Sequence, residues 1–215
     1  MAPPHGSILL ESGKHRLFGP FCDLFTILGA LSYAISHLAN GHSKVGNAIC
    51  ESTQLPRTTV TLHCGDVLSA PIHNKDIHSI RLTIGTRAWS EGPVYSGYQS
   101  ATHRLIVPIF VEYYEDNRPW LEAWVERTSS PRPKHLFLAF PAVWQFARVI
   151  RNGLSHGGSR IPISDPAFAP VTWHALTYGP SDDGRRFLGS DLSIADLVLL
   201  MLEMAEALDN LGCPA

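Results

Sequence analysis

The sequence has little charge and lacks a long apolar run. Only 17% of its 215 residues are charged, with a formal net charge of -2, so no polybasic field is present to bind duplex DNA or an anionic membrane. Its apolar runs, near 21–35 and 197–202, are interrupted or too short to span a bilayer. The first residues lack the basic and apolar regions of a signal peptide. We therefore expect a cytoplasmic protein without membrane contacts.

Paired cysteines are also missing. The four cysteines are widely spaced and form no C-x-x-C pair: Cys22, Cys50, Cys64 and Cys213. This pattern argues against a disulfide framework or a zinc ribbon. A soft metal site is the alternative, with candidate ligands His37, His42, His63 and Cys64, but no paired ligand spacing favours it. The sequence predicts neither a metal nor another cofactor.

Apolar residues, in contrast, are abundant. They make up 45% of the chain, which is long enough for one sizeable core without disulfides or metals. We expect a single domain over residues 1–215. So apolar a composition suggests that a partner covers part of the surface, and a homodimer is the simplest such assembly.

Three stretches carry apolar residues at alternating gaps of four and three, which predicts helices over 17–38, 136–154 and 194–211. Three such helices favour a bundle. Pro141 requires the middle helix either to begin near Phe140 or to kink there. Ser193 is suited to cap the last helix, with Asp196 three residues later.

The remaining segments are less regular. Residues 77–84 fit a helix slightly better than a strand, and residues 42–74 have no clear assignment. Residues 105–114 predict a helix kinked at Pro108, with a continuation over 120–125. Alternating β-formers at 171–178, a turn at Asp183-Gly184 and a return strand at 186–188 predict a hairpin over about 171–188. The expected fold class is therefore mainly α, a helical bundle with a small β-hairpin appendage between its last two helices.

The residues with the most chemical potential form the segment Arg151-Asn152-Gly153-Leu154-Ser155-His156. Chance supplies roughly one Arg-x4-His pair in a chain of this composition, so the neighbouring residues must distinguish a functional pair from a chance one. Here an asparagine follows the arginine, the apolar stripe ends at Leu154, and Gly157-Gly158 can terminate the helix after the histidine. Arg57 and His63 satisfy a looser spacing, but Arg57 follows a proline in the unassigned stretch.

This segment resembles the R-x4-6-H motif of the HEPN superfamily, which closes a helix and in active members carries metal-independent RNA cleavage. Long amphipathic helices at both ends of the chain, with the motif on the penultimate one, are similar to HEPN architecture. The sequence Pro170-Val171-Thr172-Trp173 before a last Leu- and Met-rich helix resembles a plasmid-associated branch of that superfamily. The resemblance implies an endoribonuclease in a toxin or defence setting, with an antitoxin or another protein as a partner.

Cleavage of RNA by its own 2'-hydroxyl requires these residue types. Histidine can act as acid and base near neutral pH, and the planar guanidinium of arginine can stabilise charge on the phosphoryl oxygens. The candidate catalytic residues are thus Arg151, Asn152 and His156, with Asn152 positioning one of the others. A five-residue offset separates two side chains by about 140° on a regular helix. Arg151 and His156 therefore converge only if the last turn unwinds, which Gly153 would favour, or if a second subunit completes the site.

Several alternatives stay open. Arg151 can pair with an acid and His156 can cap the helix C-terminus, as in a non-catalytic module that binds a protein or a nucleotide. Burial and pairing of both residues would favour that module, whereas solvent access beside positive charge would favour the enzyme. Basic residues around the motif offer local RNA contacts or only a solvated helix face: Arg127, Arg132, Lys134, Arg148, Arg151 and Arg160. Four tryptophans fit core positions better than base stacking: Trp120, Trp124, Trp144 and Trp173.

Overall fold

The fold combines helices with two antiparallel sheets. The computed structural model describes residues 6–40, 48–55, 58–64, 76–86, 98–131, 133, 135–156 and 158–214. Its α-helices in these ranges are α1 (Phe18–Asn40), α2 (Tyr98–Thr128), α3 (Ala142–His156) and α4 (Ile194–Asn210). Its strands are β1 (Gly6–Glu11), β2 (Ala48–Glu51), β3 (Thr58–Leu62), β4 (Ser79–Thr86), β5 (Val171–Trp173) and β6 (Leu176–Tyr178). The protein is thus mixed α and β, and the expectation of a mainly helical chain with one small hairpin was wrong in its N-terminal half.

The three apolar stripes are confirmed as helices. The first and the last correspond to α1 and α4. Ser193 caps α4 as predicted, because its hydroxyl accepts from the Asp196 N–H at 3.2 Å and its own N–H donates to the Asp196 carboxylate at 2.8 Å. The middle stripe is divided at its proline: a 3-10 turn spans Leu136–Ala139, and α3 begins only at Ala142.

The segments predicted around 105–114 and 120–125 form one helix, α2, which continues through Pro108 and Pro119. Packing offsets the two missing backbone hydrogen bonds, since Ile106, Phe110 and Leu121 of this helix are fully buried. Within the described ranges, none of the helices combines the length and the apolar character that crossing a bilayer requires.

Residues 77–84 were expected to be helical, and this was wrong. They belong largely to β4, in which buried Ile80, Leu82 and Ile84 alternate with exposed or half-buried neighbours. β4 pairs with β1 on one side and β3 on the other, in the order β1-β4-β3-β2, so long-range pairing overrides a weak helical pattern. The unassigned stretch 42–74 contains β2 and β3, and its residues 42–47, 56–57 and 65–74 lie outside the described residues.

The hairpin between the last two helices is shorter than predicted. β5 and β6 are joined by a tight turn in which His174 has a φ of 49°. The turn at Asp183-Gly184 belongs instead to the following loop, and no return strand over 186–188 pairs with β5. Within that loop Arg186 forms a bridge with Arg160, so the loop packs against the segment that leaves α3.

A buried carboxylate connects the N-terminal sheet to the C-terminal helices. Asp196, in the first turn of α4, has no exposed surface. Besides Ser193, it accepts from the Thr53 N–H at 2.9 Å, the Thr53 hydroxyl at 2.7 Å and the Ser52 hydroxyl, both residues of the loop after β2. About two turns further along α4, the Met204 carbonyl accepts a hydrogen bond from Nε1 of Trp144 of α3 at 3.0 Å. The sheet, α4 and α3 therefore hold one another in place.

The substitution Asp196→Asn tests this connection. The amide keeps the volume but turns one acceptor into a donor, which would face the Ser52, Thr53 and Ser193 donors. We expect a loss of about 2–4 kcal/mol in the free energy of unfolding, measured by urea denaturation. Asp183→Asn at an exposed position is the matched control and should change that free energy by less than about 0.5 kcal/mol. Equal effects of the two substitutions would contradict the role given to Asp196.

Candidate functional site

Arg151 lies in the groove between α3 and α2. Its Nη1 donates to the side-chain oxygen of the adjacent Asn152 at 2.9 Å, and its Nη2 forms an ion pair with Glu115 of α2. The Arg151 side chain remains 24% exposed. Its Nε is buried and finds no hydrogen-bond partner among the described residues. Asn152 and Glu115 thus fix the guanidinium in a position that solvent still reaches.

Further charges surround this guanidinium. On α2, Arg118 pairs with Glu115 at 3.1 Å and with Glu122, one turn further on, at 3.1 Å. Arg148 lies one turn before Arg151 on α3. Burial lowers the pKa of Arg148, and the neighbouring Arg151 lowers it further against the opposing effect of Tyr114. Three guanidinium groups and two carboxylates therefore share the groove, which leaves it with a positive excess.

Tyr114, next to Glu115 on α2, is a buried neighbour of these charges. Its side chain is 1% exposed, and its hydroxyl has no hydrogen-bond partner among the described residues. Burial raises the pKa of Tyr114 to about 12, although Arg148 and Arg118 act in the opposite direction. The Tyr114 hydroxyl and the Arg151 Nε are thus buried donors without a hydrogen-bond partner among the described residues. Glu115 Oε1, which forms the ion pair with Arg151, is a buried acceptor that likewise has no hydrogen bond of good geometry there.

His156 is the exposed last residue of α3. The chain turns beyond it through Gly158 and Ser159, which have φ values of 58° and 67°, and the Ser159 N–H donates to the Gly153 carbonyl at 3.0 Å. Termination by the glycines is confirmed for Gly158, whereas Gly157 lies outside the described residues. Since α3 stays helical to His156, the last turn does not unwind. The offset of about 140° persists, and one chain does not bring Arg151 and His156 face to face.

The structure gives Gly153 a different role from the one expected. A Cβ at this position would lie 2.5 Å from the Arg160 carbonyl oxygen and 2.5 Å from Cε1 of Phe187. Gly153 therefore lets the segment after α3 and the loop around Phe187 pack directly on the helix. This close approach fixes the end of α3, where His156 is located.

The structure also gives the positions of the candidate tryptophans and metal ligands from the sequence. Trp144 and Trp173 are core residues, 0% and 4% exposed, which confirms the core interpretation for these two. His63 contacts Thr83 through Nε2 at 2.9 Å. In the part of the chain that is described, no three His, Cys, Asp or Glu side chains form a group that could hold a metal. Four further candidates lie outside the described residues: His42, Arg57, Arg132 and Lys134.

The residues on the α2 side of the groove were not predicted from the sequence. Glu115, Arg118 and Glu122 are spaced by three and four residues, which is typical of ion pairs along an exposed helix face. That spacing gives no indication that Glu115 also reaches Arg151 on another helix. Tyr114 was assigned only as an apolar helix position.

The packing at Gly153 gives a testable consequence for stability. Alanine favours a helix over glycine by about 1 kcal/mol, but at this site the added methyl group would clash with backbone. We expect Gly153→Ala to lower the free energy of unfolding by about 1–3 kcal/mol in urea denaturation. In the same assay, Gly19→Ala in the first turn of α1, where a Cβ meets nothing within 4 Å, should be neutral or stabilising. A neutral Gly153→Ala would show that the close approach does not matter.

Known proteins add no further information on this groove. Comparisons with the models of protein families, with curated proteins and with solved structures find no match to the chain. The resemblance to the HEPN superfamily therefore rests on the sequence motif and stays a prediction.

Proposed function

We propose that the protein is a metal-independent endoribonuclease of the HEPN type, with its helices as a HEPN-like bundle. The proposal rests on the position of Arg151, whose side chain is held by Asn152 and Glu115 and remains partly exposed. The same helix ends at the exposed His156. This arrangement offers a fixed cation and an accessible acid-base group on one helix. A toxin or defence role, with a protein antitoxin, follows from the resemblance alone.

The proposed reaction uses the substrate's own nucleophile. His156 removes the proton from the ribose 2'-hydroxyl, and the oxygen attacks the adjacent phosphorus. The bond from phosphorus to the 5'-oxygen breaks, and His156 returns the proton that it has taken to the leaving oxygen. Arg151 stabilises the negative charge on the phosphoryl oxygens, and Asn152 orients its guanidinium. The products are a 2',3'-cyclic phosphate and a free 5'-hydroxyl.

A second copy of the chain would complete the site. Because α3 is a regular helix to its end, Arg151 points to α2 while His156 is turned away by about 140°. In a two-fold dimer, His156 of one copy can approach Arg151 of the other. The abundance of apolar residues is consistent with such a dimer.

One observation favours the non-catalytic alternative. The ion pair between Arg151 and Glu115 is what a structural arginine would form, and an RNA phosphate would have to compete with that carboxylate. In a binding module, Arg151 would serve as an anchor and His156 would have no chemical role. Cleavage assays on single variants distinguish the two functions.

We expect purified protein to cut single-stranded RNA in the presence of EDTA and to leave 2',3'-cyclic phosphate ends. Arg151→Ala and His156→Ala should each lower the cleavage rate by at least about 100-fold, as typical for loss of an acid-base or charge-stabilising group. Arg81→Ala and His78→Ala, at exposed positions on or beside β4, are the matched controls and should retain the full rate. Unchanged cleavage by either motif variant, or cleavage of an RNA with 2'-deoxyribose at the scissile position, would refute the mechanism.

The two-chain site makes a separate prediction. Neither Arg151→Ala nor His156→Ala alone should be active, but co-refolded mixtures should contain mixed dimers that have one intact pair. With random assembly and one intact site per mixed dimer, about a quarter of the wild-type activity should return. If each chain carried a complete site, the mixture would stay inactive, and the composite arrangement would be wrong even if cleavage requires both residues.

A further inference from the structure

An aromatic stack lies beside the proposed active groove. The guanidinium carbon of Arg148 is 3.7 Å from the centre of the Phe137 ring. The imidazole of His135 is stacked on the same ring, with centroids 5.6 Å apart and planes 26° from parallel. His135 is exposed, and Leu138 beside it is 50% exposed. The 3-10 turn before α3 thus presents a flat aromatic surface to solvent.

This stack is continuous with the charged groove. Arg148 and Arg151 are one turn apart on α3, a rise of about 4.5 Å along the axis. Both guanidinium groups lower the pKa of Tyr114, which lies beneath them, so the two charges share one local environment. The rings of His135 and Phe137 are thus followed by two guanidinium groups, first that of Arg148 and then that of Arg151.

Trp144 and Trp173 do not provide an equivalent surface. Trp144 is fully buried and donates to the Met204 carbonyl, and Trp173 is 4% exposed and donates to Glu203 at 2.8 Å. His135 is exposed and has Phe137 behind it as a support. A ring held in this way can accept a second flat group on its outer face with little loss of side-chain entropy.

We propose that His135, supported by Phe137, stacks a nucleobase of single-stranded RNA while Arg148 and Arg151 contact the adjoining phosphates. This inference rests on the proposed function and adds a subsite for the single-stranded substrate: a place for one unpaired base that has left its own stack. Aromatic stacking of this kind tolerates any base, so the subsite selects single strands over duplexes rather than one sequence over another.

The test compares two uncleavable ligands on the wild-type protein and its variants. One is a short 2'-O-methyl RNA, and the other is an abasic strand of the same length and charge. His135→Ala should weaken binding of the first by about 5- to 100-fold, the range expected for one stacked base, and leave binding of the second unchanged. His135→Trp should restore the affinity for the strand with bases.

The salt dependence separates stacking from charge. Arg148→Ala should weaken both ligands and reduce the slope of log affinity against log salt by about 0.7, the value for one phosphate contact on a single strand. His135→Ala should leave that slope unchanged. Equal weakening of both ligands by His135→Ala would mean that His135 acts as a cation, and would overturn the proposal.

Failure of this inference differs from failure of the proposed function. If His135→Ala leaves binding of the strand with bases unchanged while cleavage still requires Arg151 and His156, only the stacking subsite is wrong. If His135 discriminates between the strands but cleavage does not require the motif, only the catalytic proposal is wrong. If wild-type protein binds neither strand and cuts no RNA, both are overturned.

Discussion

The fully buried carboxylate of Asp196 joins the two ends of the fold, since it accepts hydrogen bonds both from the loop after β2 and from the residue that caps α4. A charge without solvent contact is tolerated only when donors surround it, so the loop and the helix start must form together. α4 then supports α3 through Trp144 and the Met204 carbonyl. The position of α3, and therefore of Arg151, thus depends on the hydrogen bonds that Asp196 accepts at the start of α4.

Two further contacts fix the last turns of α3, which carry Arg151 and His156. At Gly153 the absence of a side chain lets the segment beyond the helix return onto its surface, which ends the helix at a defined residue. Across the groove, Glu115 holds Arg151 but also supplies an internal anion. Glu115 thus both positions Arg151 and neutralises part of its charge. Arg118 and Arg148 add further positive charge near this pair, although Arg118 is itself paired with Glu115 and Glu122.

The sequence predicted those elements whose local pattern and tertiary environment agree. In α3 and in the described part of α1 the buried residues follow the gaps of four and three, so the pattern corresponds directly to a buried face. α4 also buries its stripe, but residues 194–201 are buried on all sides of the helix. β4 was missed because Ile77, Ile80 and Ile84 fit a helical repeat, while pairing with β1 and β3 decides its conformation. The hairpin turn at His174 was missed because a histidine with positive φ has no strong sequence signal. Contacts between distant segments, such as Arg151 with Glu115, were beyond any local pattern.

The regular helical end of α3 determines how Arg151 and His156 can be brought together. An unwound last turn would let one chain bring Arg151 and His156 together, and the proposed catalysis would not depend on the state of assembly. Because the helix continues to His156, the two side chains diverge, and a second copy becomes a requirement of the proposed chemistry. Glu115 also supplies a counter-charge beside Arg151, so the proposed RNA binding needs a contribution besides the phosphate. The proposed stacking on His135 is such a contribution, because Phe137 contacts both His135 and Arg148 and so joins the 3-10 turn to the charged side of α3.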